Sequence, residues 1–143
     1  MSTRTLRLGP GPEGLAQARR ALAGFERELD PGLFFDVSLC VNELVSNAIR
    51  ALEPAEAMSV ELELSRNDGA LCAAVADHGA GARRLEQIIE GGHGGDFGLY
   101  IISRLAHRWG VDRIENRVWL EFALDDDEPP RASAFEVGVG QGA

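Results

Sequence analysis

The chain has 143 residues, 45% of them hydrophobic, which is enough for one domain with a real core and too few for two. Its net charge of −9 and sequence pI near 4.8 speak against a nucleic-acid-binding surface, which needs a basic face. All 14 basic residues are arginine, so the lysine of a P-loop or of a protein-kinase strand is excluded, and any phosphate must be held by backbone N–H groups, a metal ion or arginine.

Arg4 to Leu8 alternate weakly and predict a first strand. The breaker cluster Gly9-Pro10-Gly11-Pro12 follows, with Pro12 suited to a first helical position. Leu15, Ala18, Leu22, Phe25 and Leu29 recur at steps of three and four, which predicts an amphipathic helix. Asp30-Pro31 supplies an N-cap and a first helical residue for a second helix, with a stripe of Phe34, Val37, Val41, Leu44, Ala48 and Leu52. Glu53-Pro54 ends it, because the residue before proline resists helical geometry.

Met58 to Leu64 alternate as a strand with one wet face, and Asn67-Asp68-Gly69 is a hairpin signal. Ala70 to Ala76 is apolar throughout and predicts a central strand. Residues 82–93 read as a short polar lid, and Leu99 to about Arg108 as a third helix. Trp109 to Ile114 and Arg117 to Leu124 complete the pattern as a strand pair. Residues 1–125 are expected to form one domain, and the acidic, Pro/Gly-containing residues 126–143 a tail largely without structure. Helices beside a mostly antiparallel sheet make a two-layer α+β sandwich, the helices on one face. Cys40 and Cys72 lie in apolar runs without CxxC spacing, as small buried hydrophobes of a reducing compartment do. There is no apolar leader, and no run approaches the ~18 apolar residues of a membrane span, so a soluble cytoplasmic chain is expected.

Three segments carry chemistry. In Asn42-Glu43-Leu44-Val45-Ser46-Asn47-Ala48, Glu43 and Asn47 are four apart and share one helix face, so a carboxylate and a carboxamide stand together. Asp77-His78-Gly79-Ala80-Gly81 directly follows an apolar strand; its aspartate can accept a hydrogen bond from an amine, and its glycines allow close backbone approach. Gly94-Gly95-Asp96-Phe97-Gly98-Leu99 is a glycine-rich loop opening a helix, where exposed N–H groups and the helix dipole attract anions. His78, His93 and His107 have no metal-ligand spacing.

In this order the three segments resemble the nucleotide site of the GHKL, or histidine-kinase-like, ATPase superfamily. Glu43 to Ala48 looks like its N box, Asp77 to Gly81 its first glycine box, and Gly95 to Ile101 its second. The size, the short lid, the Glu-Leu-Val-Ser-Asn-Ala run and the Arg108-Trp109-Gly110-Val111 ending are most similar to the anti-sigma-factor serine/threonine kinases. The resemblance implies ATP and Mg²⁺ as cofactors, with Asn47 on the metal and Glu43 as catalytic base for a serine hydroxyl. It further implies that Asp77 recognises adenine, that Gly79 and Gly81 shape the base and ribose wall, and that Gly95, Gly98 and Leu99 cradle phosphates. The implied partners are a sigma factor and a small anti-anti-sigma phosphoacceptor, with two copies pairing through the sheet and first-helix side; neither nucleic acid nor membrane is contacted. Asp96, where the second box usually has a glycine, leaves a second reading open: a nucleotide-binding partner-switching module without kinase activity.

Overall fold

The computed structural model describes residues 2–9, 11–52, 60–67, 69–76, 97–112, 114–115, 117–124 and 135–138. The first strand, β1, runs Ser2–Leu8. Helix α1 follows at Pro12–Ala23, with the proline where its missing N–H costs nothing. The helix expected to reach Leu29 stops six residues earlier. The Gly24 N–H closes on the Ala21 carbonyl, and a 3-10 turn at Glu26–Glu28 carries the chain on. Phe25 and Leu29 are buried as the apolar spacing demanded, but they reach the core from the turn rather than from the helix.

Helix α2 spans Pro31–Leu52. Asp30 caps it as anticipated, its Oδ2 accepting the N–H of Gly32 at 3.0 Å and of Leu33 at 3.4 Å. Its buried stripe is wider than the expected one: Cys40, Val45 and Ile49 join Val37, Val41, Leu44 and Ala48. By length and composition alone α2 could cross a membrane, but here that stripe is packed into the core.

Strands β2 (Val60–Arg66) and β3 (Ala70–Ala76) form the expected hairpin, held at its turn by Asn67 Oδ1, which accepts from Gly69 and Ala70 N–H. Helix α3 is Phe97–Leu105, starting two residues before and ending three before the expected helix, because Arg108 already belongs to the next strand. Strands β4 (Arg108–Asp112) and β5 (Arg117–Ala123) are an antiparallel pair. The hairpin between them rests on Asp112, only 2% exposed, whose Oδ1 accepts from the N–H of Ile114 and Glu115. Within the tail, Phe135–Gly138 forms a short strand, β6, parallel to β4; its Phe-Glu-Val alternation is a strand pattern inside a composition that otherwise reads as unstructured.

The sheet order is β1-β2-β3-β5-β4-β6, antiparallel except for the last pair. β3 is central, as its continuous apolarity predicted. Register sets the two faces. Leu8, Leu62, Leu64, Ala73, Val75, Val118, Leu120 and Val111 point to the helices and share one core with α1, α2 and α3. This is the expected α+β sandwich.

The opposite face holds Glu61, Glu63, Cys72, Ala74, Trp119, Glu121 and Arg117. Trp109 lies in the core, whereas Trp119 is buried on this outer face, under the Arg108 guanidinium 5.6 Å from its ring centroid. Arg117 lies 3.2 Å from Glu115 and 3.8 Å from Asp112 and from Glu63. Cys40 is buried as expected, but Cys72 is only half-buried, because its register turns it to this outer face. Burial, reinforced by the nearby Glu121 carboxylate, raises the Cys72 thiol above its usual pKa.

Candidate functional site

The site begins on α2. A helix places residues four apart on one stripe, so Glu43 and Asn47 stand one turn apart, and Arg50 extends the stripe by another turn. Asn47 is 7% exposed and Glu43 half-buried. A buried carboxamide beside a half-buried carboxylate is costly to place without a purpose for its hydrogen-bonding capacity. Arg50 was not singled out in the sequence, although its i+3 spacing from Asn47 is a legible signal. Its Nη1 donates to Ser46 Oγ at 3.0 Å, which fixes a guanidinium at the end of the polar stripe.

The other two segments enter through topology. β3 ends at Ala76, level with Glu61 and Arg117 in its two neighbours, in the middle of the sheet. The chain next becomes describable at α3, which packs against α2, and α2 in turn packs on β2 and β3. In sequence, residues 77–96 join the central strand to α3. Gly98 and Leu99 lie in the first turn of α3, where backbone N–H groups have no partner within the helix, and that turn contains no acidic residue. Asp77, Gly79, Gly81, Gly95 and the expected lid lie outside the described residues.

The donor set suits a magnesium nucleotide. Mg²⁺ takes oxygen ligands and usually completes its shell with phosphate oxygens and water. Asn47 Oδ1 is a buried oxygen on the stripe, and Glu43 can hold a metal-bound water or a hydroxyl. Among the described residues no three His, Cys, Asp or Glu side chains gather as a stand-alone metal site. His107 is structural: its Nδ1 accepts the N–H of Ala123 at 3.2 Å, and its ring meets Phe122 edge-on.

A helical layer on a mostly antiparallel sheet, with α2 packed on both the sheet and α3, is the frame of an ATP-binding α+β domain. The chain belongs to the histidine-kinase-like ATPase domain family, whose sequence model matches residues 10–122. Membership implies ATP binding, usually with Mg²⁺. The matched span includes all three motif segments, together with every described helix and β2 to β4. No curated protein is similar enough to count as a match.

Proposed function

We propose that the protein is an Mg-ATP-dependent serine/threonine kinase of the anti-sigma type, acting in the cytoplasm. It would hold a sigma factor and release it by partner switching when a small anti-anti-sigma protein, its phosphoacceptor, competes. The observation that carries this reading is the pairing of the half-buried Glu43 with the buried Asn47 on one stripe of α2. A module that only bound nucleotide would need Asn47 but not a base beside it.

In this reading Asn47 and the first turn of α3 orient the phosphates, and Arg50 neutralises charge at the end of the stripe. Glu43 holds the serine hydroxyl and takes its proton as the oxygen attacks phosphorus. Bound Mg²⁺ supplies charge neutralisation on the phosphates. The half-burial of Glu43 limits competing water, and Asp77 supplies the acceptor for the adenine amine.

The test is phosphate transfer from γ-labelled ATP to candidate partner proteins. Wild-type protein labels a serine of its cognate partner, and Glu43→Ala lowers the rate at least about 100-fold while ATP binding persists. Undiminished transfer by Glu43→Ala refutes the assigned role. Asp96 favours a second reading, a nucleotide-responsive switching module without transfer; ATP binding with no labelled partner selects that reading instead.

A further inference from the structure

The two edges of the sheet are finished differently. On one side the sheet ends at β1, beside α1. On the other, β4 is covered by β6, which among the described residues pairs with nothing beyond it. The β4–β6 ladder is the shortest among the described strands, four residues against five to seven in the others, and it is the one parallel pair. Parallel pairing is slightly weaker per residue, and a ladder of four residues at an edge holds little by itself. β6 also lies beyond residues 10–122, the span that matches the family.

The tether to β6 is longer than its path requires. β5 ends at Ala123, two residues past the Glu121–Arg108 pair at the start of β4, and β6 begins opposite Trp109. That is two strand spacings sideways and about three residues along, roughly 14 Å in all. The eleven residues 124–134 between the two strands can span up to about 36 Å. A tether of that length lets β6 leave the edge and return, and it holds the strand near the edge at about millimolar effective concentration. No disulfide fixes it, since both cysteines are free and lie on α2 and β3.

We propose that the outer edge of β4 is a docking site for an extended segment of a partner protein, and that β6 is the chain's own competitor for it. The partner segment joins the sheet parallel to β4, in the register that β6 holds opposite Trp109, Gly110, Val111 and Asp112. The resident strand Phe135-Glu136-Val137-Gly138 defines what the edge accepts: an aromatic residue, an acid, a β-branched residue and glycine in turn. Backbone hydrogen bonds supply the affinity. While no partner is present, β6 keeps the edge from pairing with other chains, and it raises the partner concentration needed for exchange. A second copy gains nothing by exchange, because its β6 is identical to the strand already tethered there, whereas a partner segment can pair along all five residues of β4. The β1 and α1 side, at the other end of the sheet, is left for the pairing of two copies that the resemblance implies. The proposal is independent of nucleotide binding.

The test uses the full chain and a fluorescein-labelled peptide of the sequence of residues 131–141, followed by fluorescence anisotropy. In E136P/V137P two adjacent prolines remove ladder N–H groups at either parity of β6, so the competitor in the same chain is lost. That variant is expected to bind the peptide saturably and at least about tenfold more tightly than wild type does. The same peptide N-methylated at alternate backbone positions loses its hydrogen bonds and is expected not to bind. Equal affinity of wild type and variant, no saturation of the variant up to about 1 mM peptide, or equal binding of the N-methylated peptide each overturns the proposal. So does a wild-type dimer that E136P/V137P converts to monomer, because the occupant is then the β6 of a second copy. Native-state hydrogen exchange on unmodified protein decides even if the variant folds poorly. Amides of β6 are expected to be protected yet to exchange faster than those of β3, and protection equal to that of β3, or none, overturns the proposal.

Discussion

Asn47→Ala separates the nucleotide site from the fold. Asn47 is 7% exposed on α2, flanked in sequence by the core residues Val45, Ala48 and Ile49. Removing its carboxamide leaves the groups around it short of one hydrogen-bonding partner, a cost of about 1–2 kcal/mol. For a domain of this size that lowers the melting temperature by roughly 4 °C, and the protein stays folded at 25 °C. If Asn47 places Mg²⁺ against the phosphates, the same change weakens Mg-ATP binding by about tenfold or more, about 1.4 kcal/mol, and removes the dependence on Mg²⁺. Calorimetric titration of ATP with and without Mg²⁺, beside a thermal melt of each protein, reads both effects. A variant that melts a few degrees lower yet binds Mg-ATP as tightly as wild type refutes the placement of Asn47 on the metal. If wild type itself binds no ATP, the domain is a scaffold that kept the family's frame without its ligand.

Asp30→Ala removes the acceptor of two N–H groups at the start of α2 and is expected to cost about 1 kcal/mol, read as a lower denaturation midpoint. Gly14→Ala, which in an open helix would stabilise by up to about 1 kcal/mol, is expected to destabilise by about 1–3 kcal/mol instead. Its new Cβ would overlap the Gly9 carbonyl oxygen and lie 3.0 Å from Ile49 Cδ1, and backbone cannot move aside as a side chain can. A rise in melting temperature refutes that reading. The raised thiol of Cys72 means that the folded state holds its proton more firmly than the unfolded chain. That contribution is fully present below the ordinary value of 9.0 and is lost as pH rises through the higher folded value. Wild type should therefore lose stability above about pH 9 more steeply than Cys72→Ala, and Cys72 should alkylate slowly at pH 8; parallel pH profiles for the two proteins refute it.

Local rules reached most of the elements. The step-of-three-and-four spacing found α1 and α2, the Asp30-Pro31 pair found the start of α2 to the residue, and continuous apolarity identified β3 as central. Where periodicity runs across a glycine it misleads: Phe25 and Leu29 keep the helical beat of α1, yet Gly24 turns the chain, and only the burial of those two residues survives. The two tryptophans look alike in sequence, but one is in the core and one on the outer face. Their difference is set by the register of β4 on β5, which no local pattern encodes. The placement of β5 between β3 and β4 was equally illegible, since long-range pairing leaves no trace in composition. In the site, the i,i+4 relation of Glu43 to Asn47 was readable because a helix translates spacing directly into proximity. Arg50 was overlooked because its place on the stripe depends on the helix continuing past the motif.

That insertion of β5 has a consequence in time. The central strand β3 waits for residues 117–123 before it gains its second neighbour, and β4, made earlier, has no described place in the sheet until β5 pairs with it. A chain emerging in order can form the β1–β2–β3 sheet against α1 and α2 but leaves Leu71, Ala73 and Val75 with an open flank. The last strand of the core thus acts as a keystone: folding commits late, its rate is set by long-range contacts, and a chain cut short before Arg117 exposes an apolar sheet edge prone to association.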